Sequence, residues 1–150
     1  MAERQNSRRS LAAFRVRQRF YVPGRCVDRV SEPIRVLVVE DEALVRIVIS
    51  DHLRDDGFDI LEAANANEAI VLLETHADIQ ILFTDIDMPG SMDGLELSAI
   101  ARHRWPLVRI VIASGQGLLD IVDLPEGGLF YSKPYDHDLL ARSFREMMRA

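Results

Sequence analysis

Acidic residues close two of the apolar runs in this chain. Val36-Leu37-Val38-Val39 leads into Glu40, Asp41 and Glu42, and Ile81-Leu82-Phe83-Thr84 leads into Asp85. A later run ends in Ser114-Gly115, and another in Lys133-Pro134, which holds the sole lysine of the sequence. Carboxylates held together repel unless a cation relieves them, and hard oxygen donors with room for water suit Mg²⁺. A compact ammonium beside them pairs with a carboxylate or with an oxygen of a bound phosphoryl group. Ser114 adds a hydroxyl donor. Brought together, these groups are fit to stabilise a phosphoryl group attacked in line by an aspartate, with metal and ammonium neutralising the developing charge.

The elements around them have to bring these residues to one place. Arg35 to Val39 is a β-branched run typical of a strand buried on both faces. A helix follows to about Asp56, with Leu44, Ile47, Val48 and Leu53 expected inward, and Gly57 closes it. Phe58–Ala63 reads as a second strand and Asn67–Thr75 as a helix with Ala69, Ile70, Leu72 and Leu73 inward. Ile79–Thr84 is a third strand ending at Asp85. Asp87 to Gly90 is a loop shaped by Met88 and Pro89, and Asp93-Gly94 opens a helix stopped by Pro106. Val108–Ala113 and Leu129–Tyr131 are the remaining strands, and a last helix runs from about Asp136 to Met148. Strand and helix alternating in this order predict an α/β fold with a parallel sheet covered on both faces. Ligands of such sheets bind at the carboxyl ends of the strands, where the residues above stand.

The chain has 150 residues, 48% apolar and 28% charged, which excludes disordered and collagenous classes. Cys26 alone closes no intramolecular disulfide and builds no zinc cluster, which points to a reducing, cytoplasmic setting. No apolar stretch approaches the roughly 18–20 residues of a membrane helix. His52, His76, His103 and His137 lack metal-ligand spacing and read as surface residues, and Trp105 reads as a packing residue.

Val36-Leu37-Val38-Val39-Glu40-Asp41-Glu42, Thr84-Asp85-Ile86-Asp87-Met88-Pro89-Gly90 and Ser132-Lys133-Pro134 resemble the signature blocks of receiver domains of two-component response regulators, from about Ile34 to the C-terminus. The resemblance implies a flavodoxin-like, doubly wound sheet of five parallel strands in the order 2-1-3-4-5. It implies that Asp85 is the phospho-acceptor, served by a histidine kinase or histidine phosphotransfer protein. Glu40, Asp41, Asp85 and the backbone carbonyl of Asp87 would hold Mg²⁺. Ser114 would be the switch hydroxyl, Lys133 the contact to the phosphoryl group, and Phe130 the switch aromatic. The Asp87 side chain is either merely solvated or controls how water reaches the acyl phosphate. On this reading the chain is a signalling module rather than an enzyme with turnover, and acts through an unknown downstream protein.

Two features depart from the family pattern. Between Ser114 and Lys133 the chain is short, and Gly and Pro crowd both ends of that stretch. The fourth helix is therefore expected to be shortened or missing. No DNA-binding or other output domain follows the last helix, so residues 34–150 are expected to form a stand-alone receiver.

Eight arginines against three acidic residues give residues 1–33 a net charge of +5, leaving −11 for the remainder of a chain whose total is −6. This leader is read as a disordered or partly helical basic tail. Its Arg residues with Phe14, Phe20 and Tyr21 also permit contact with nucleic acid or anionic membrane. A third reading puts the natural start at Val30. Ser7-Arg8-Arg9-Ser10-Leu11 faintly resembles a twin-arginine export signal, but Arg15, Arg17 and Arg19 interrupt the apolar core such a signal needs, so export is not expected.

Two rival functions compete with this reading. Asp85-Ile86-Asp87 also resembles the DxD motif of haloacid-dehalogenase-type phosphatases, which are Mg-dependent and use an aspartyl nucleophile. Pro89 stands where that family has Thr or Val, however, and Glu40 and Asp41 would go unused. A flavin-binding module of the same fold ranks last, since acidic residues after the first strand repel a phosphate.

Overall fold

The computed structural model describes residues 20–22, 25–27, 32–88, 90, 92–115 and 128–149. The chain divides into two units, Met1–Pro33 and Ile34–Ala150. In the first, β1 (Phe20–Val22) pairs antiparallel with β2 (Arg25–Val27), Tyr21 in register with Cys26. These six residues are extended, and most of the leader expected to be disordered or partly helical lies outside the described residues. Aromatic and β-branched residues such as Phe20, Tyr21, Val22 and Val27 favour extended backbone. The proposed start at Val30 and the expected shortened helix within 116–127 lie outside the described residues.

In the second unit β3 (Arg35–Val39), β4 (Asp59–Ala63), β5 (Ile81–Asp85), β6 (Arg109–Ser114) and β7 (Leu129–Ser132) form one sheet in the order β4-β3-β5-β6-β7, every pair parallel. Counted within this unit, the order is 2-1-3-4-5, as the resemblance implies. Four helices accompany it among the described residues: α1 (Ala43–Asp55), α2 (Ala66–Thr75), α3 (Gly94–Arg104) and α4 (His137–Arg149).

Successive strand residues point to opposite faces, so one strand feeds two cores. Leu37, Val39, Leu82, Ile110 and Ile112 pack with α2 and α3 through Ala69, Leu73, Leu97 and Ala101. Val36, Val38, Ile81, Phe83 and Val111 pack with α1 and α4 through Ile49, Leu53, Leu140 and Phe144. Phe144 is fully buried and meets Phe58 and Phe83 edge-on, with centroids at 5.8 and 5.9 Å. Its burial contributes about 2–3 kcal/mol.

One expected helix face is wrong. Leu44, Ile47 and Val48 are 79%, 47% and 55% exposed, and α1 buries Ile49 and Leu53 with Val45 packed beside them. Leu44 and Leu53 are nine residues apart, which at 3.6 residues per turn puts them about 180° apart, so they never shared a face. α1 carries two apolar stripes, and periodicity alone could not choose between them. In α4, Leu139 is likewise exposed while Leu140 and Phe144 are buried.

Side-chain caps fix where α2 and α3 begin. Asn65 accepts from the Glu68 N–H at 2.9 Å, and Asp93 and Glu96 form a reciprocal capping box. Gly57 ends α1 with φ of +97°, a conformation that glycine adopts without steric cost.

Candidate functional site

The site follows from strand register. Val39 is in register with Thr84, Asp85 with Ala113, and Ser114 with Ser132. Glu40, Asp85, Ser114 and Lys133 are therefore the last or next residues of four neighbouring strands, all at the carboxyl edge of the sheet. Asp41 follows Glu40 immediately.

Glu40, Asp41 and Asp85 offer carboxylate oxygens that all lie within 4.8 Å of one another. Glu40 and Asp85 are buried. Lys133 Nζ donates to Asp85 Oδ2 at 2.8 Å and reaches Glu40 Oε2 at 3.4 Å. The Glu42 N–H donates to Glu40 Oε1 at 3.1 Å, and the Asp87 N–H to Asp85 Oδ1 at 3.1 Å. One ammonium and two main-chain donors thus face three carboxylates. That balance leaves the cluster electron-rich and suited to a hard divalent cation, for which carboxylate, carbonyl and water oxygens are the preferred donors.

Burial pushes the Glu40 carboxyl up to about 7. The bond from Glu42 N–H and the Lys133 charge oppose that rise, while Asp41 and Asp85 add to it. Burial alone would lower the Lys133 ammonium, but its bond to Asp85 and the charges of Glu40 and Asp85 outweigh it and raise the group. Lys133 is therefore charged at neutral pH and is the standing counter-ion of the site.

The fully buried Ser114 donates from Oγ to Asp87 Oδ2 at 3.2 Å. Its main-chain carbonyl accepts from Lys133 N–H at 2.8 Å, tying the ends of β6 and β7 together. Phe130 lies half-buried on β7 against the α2/α3 core.

Comparison with known proteins places the chain in a family. The response regulator receiver domain matches residues 36–144. The chain belongs to that family. A putative NtrX-like response regulator of Rickettsia felis is 34% identical over 109 residues, 70% of this chain and 23% of that protein. The transcriptional regulatory protein PdtaR of Mycobacterium tuberculosis is 37% identical over 93 residues, 61% of this chain and 43% of that protein. The chain thus spans less than half the length of either relative. A receiver protein of Sinorhizobium medicae superposes with a TM-score of 0.72 at 26% identity, covering 79% of this chain and 97% of that one. The receiver domain is a signalling module of two-component systems. The phosphatase alternative would leave Glu40 and Asp41 idle, whereas the fold gathers both into one carboxylate cluster with Asp85. No helix among the described residues is long and apolar enough to cross a membrane.

Three neighbours of the site escaped the sequence reading. A Cβ on Gly94 would sit 2.1 Å from the carbonyl oxygen of Asp85 and 2.9 Å from Ile86 Cα, so only glycine lets α3 start against the end of β5. Arg46 Nη1 donates to the Glu40 carbonyl at 2.7 Å. An arginine inside the apolar stretch Ala43 to Ile49 was the available signal. Tyr135 stacks edge-on against Phe83 at 5.8 Å. Burial, with the Glu40 and Asp85 charges, raises its hydroxyl far above the usual phenol range. It is thus a neutral wall of the site, and nothing in its sequence context marked it.

Proposed function

We propose that the segment from Ile34 accepts a phosphoryl group on Asp85 from a histidine kinase or histidine phosphotransfer protein in the cytoplasm, in a Mg-dependent reaction, and signals by phosphorylation-dependent protein contact. An Asp85 carboxylate oxygen attacks phosphorus in line. The P–N bond to the donor imidazole breaks as the new P–O bond forms, and the leaving imidazole takes a proton from solvent. Glu40, Asp41, Asp85 and the Asp87 carbonyl would hold Mg²⁺, which supplies charge neutralisation at the phosphoryl oxygens. Lys133, just past the end of β7, stabilises the same developing charge. Ser114 and Phe130 form the switch that reads the phosphorylated state.

The observation that carries this reading is the 2.8 Å bond from the one lysine of the chain to Asp85, within a cluster of three carboxylates. A burial-strained acidic cluster with a single paired cation is poorly explained as structural support, because it costs desolvation without a compensating apolar contact. The test is labelling with a small-molecule phosphodonor and Mg²⁺, beside Asp85→Asn. One acid-stable, base-labile phosphoryl group per chain is expected, absent from the variant. Labelling of Asp85→Asn at the wild-type level would remove Asp85 as the nucleophile.

A further inference from the structure

We propose that the Asp87 side chain is a latch that holds the Ser114 hydroxyl away from the phosphoryl position and so sets how readily the domain switches. The inference rests on the receiver reading above and assigns a positioning role to a carboxylate that the resemblance leaves either solvated or acting on water. Asp87 bridges the two reacting partners. Its N–H donates to Asp85 Oδ1 at 3.1 Å, which anchors the loop to the nucleophile, and its Oδ2 accepts from Ser114 Oγ at 3.2 Å.

A serine hydroxyl has a single proton to donate. While that proton lies on Asp87 it is not on a phosphoryl oxygen. Both acceptors are anionic, so both bonds are of the stronger, charge-assisted kind and compete on similar terms. Ser114 is fully buried and water does not readily take the place of either partner, whereas Asp87 is exposed and free to swing into solvent once released. A phosphoryl group on Asp85 also repels the Asp87 carboxylate. Latch and phosphoryl group are therefore mutually exclusive, and whatever the latch contributes to the resting state it subtracts, by linkage, from affinity for the phosphoryl group.

Beryllofluoride, a mimic of the bound phosphoryl group, gives the test. Its affinity for the full chain at saturating Mg²⁺ is measured from amide NMR shifts in wild type, Asp87→Ala, Ser114→Ala and the double variant. Asp87→Ala should tighten binding about tenfold when Ser114 is present, the worth of one hydrogen bond to a charged acceptor. In the Ser114→Ala background the same change should have little effect. An equal gain in both backgrounds would mean that the carboxylate acts through charge alone, and unchanged or weaker binding would mean that no latch exists. Either result overturns the proposal. Asp87→Asn, which keeps the shape of the loop and a weaker acceptor, should give a smaller gain and serves if the alanine variant fails to fold. Failure of the wild type itself to bind beryllofluoride in an Asp85-dependent manner overturns the receiver reading and the latch with it, a result visible without any Asp87 variant.

Discussion

Lys133 Nζ stands 2.8 Å from Asp85 Oδ2, although the two residues are 48 positions apart. Glu40 Oε2 lies 3.4 Å from the same ammonium. Removing Lys133 leaves two buried carboxylates facing each other without their counter-charge. Lys133→Ala is expected to lower stability by about 3 kcal/mol in chelator. Mg²⁺ should recover much of that loss by supplying the missing positive charge. Urea denaturation with and without Mg²⁺ measures both effects, and a Mg²⁺-independent loss would argue against a shared cation site.

The Glu40 carboxyl, ordinarily near 4.5, stands at about 7 in the folded protein. The folded state keeps a proton that the unfolded chain has already lost. The stability this contributes is complete below about pH 4.5 and is lost as pH rises through 7. A metal binds the ionised form and displaces that proton, so Mg²⁺ affinity should rise between about pH 6 and 8 with release of a proton. Calorimetry in two buffers of different ionisation enthalpy reports the proton. Glu40→Gln should flatten the pH dependence.

The close approach of α3 to β5 depends on Gly94. Gly94→Ala forces the Asp85 main chain or the start of α3 to move, at a cost of about 2–3 kcal/mol. It should also slow phosphorylation, because the displaced atoms belong to the nucleophile. Denaturant midpoints and labelling rates test the two parts separately. A variant of wild-type stability would show that the helix start yields easily.

On α1, the exposed Leu44, Ile47 and Val48 and the buried Ile49 and Leu53 should respond differently to alanine. Each exposed residue should change stability by less than about 0.5 kcal/mol. Ile49→Ala and Leu53→Ala should each cost about 2–5 kcal/mol. Equilibrium unfolding of the five variants reads the orientation of the helix directly, and the reverse ranking would invert it.

Most of the strand positions were legible from residue type. Arg35–Val39 was found to the residue, and the other sheet strands to within two, since β-branched runs bounded by Gly, Pro and acidic residues have few alternatives. The start of α3 was as clear, because Asp93 and Gly94 are local signals, whereas the Asn65 cap one residue before α2 went unread. The facing of α1 was not legible. Its two stripes are equally apolar, and only the partners it packs against, Phe58 and Phe144 among them, select one.

The sequence by itself determined which residue types stand at the ends of the apolar runs, and hence that Glu40, Asp41, Asp85, Ser114 and Lys133 stand at one edge of the sheet. That inference holds because parallel strands in an alternating α/β chain must all end at the same edge. Only the tertiary structure decided how those ends meet. Register set Lys133 on Asp85, close packing made Gly94 obligatory, and a loop turned the Asp87 carboxylate onto Ser114. Such contacts join residues remote in the chain at distances of a few ångströms. No local preference encodes a spacing of that kind, because it depends on how the whole sheet is packed.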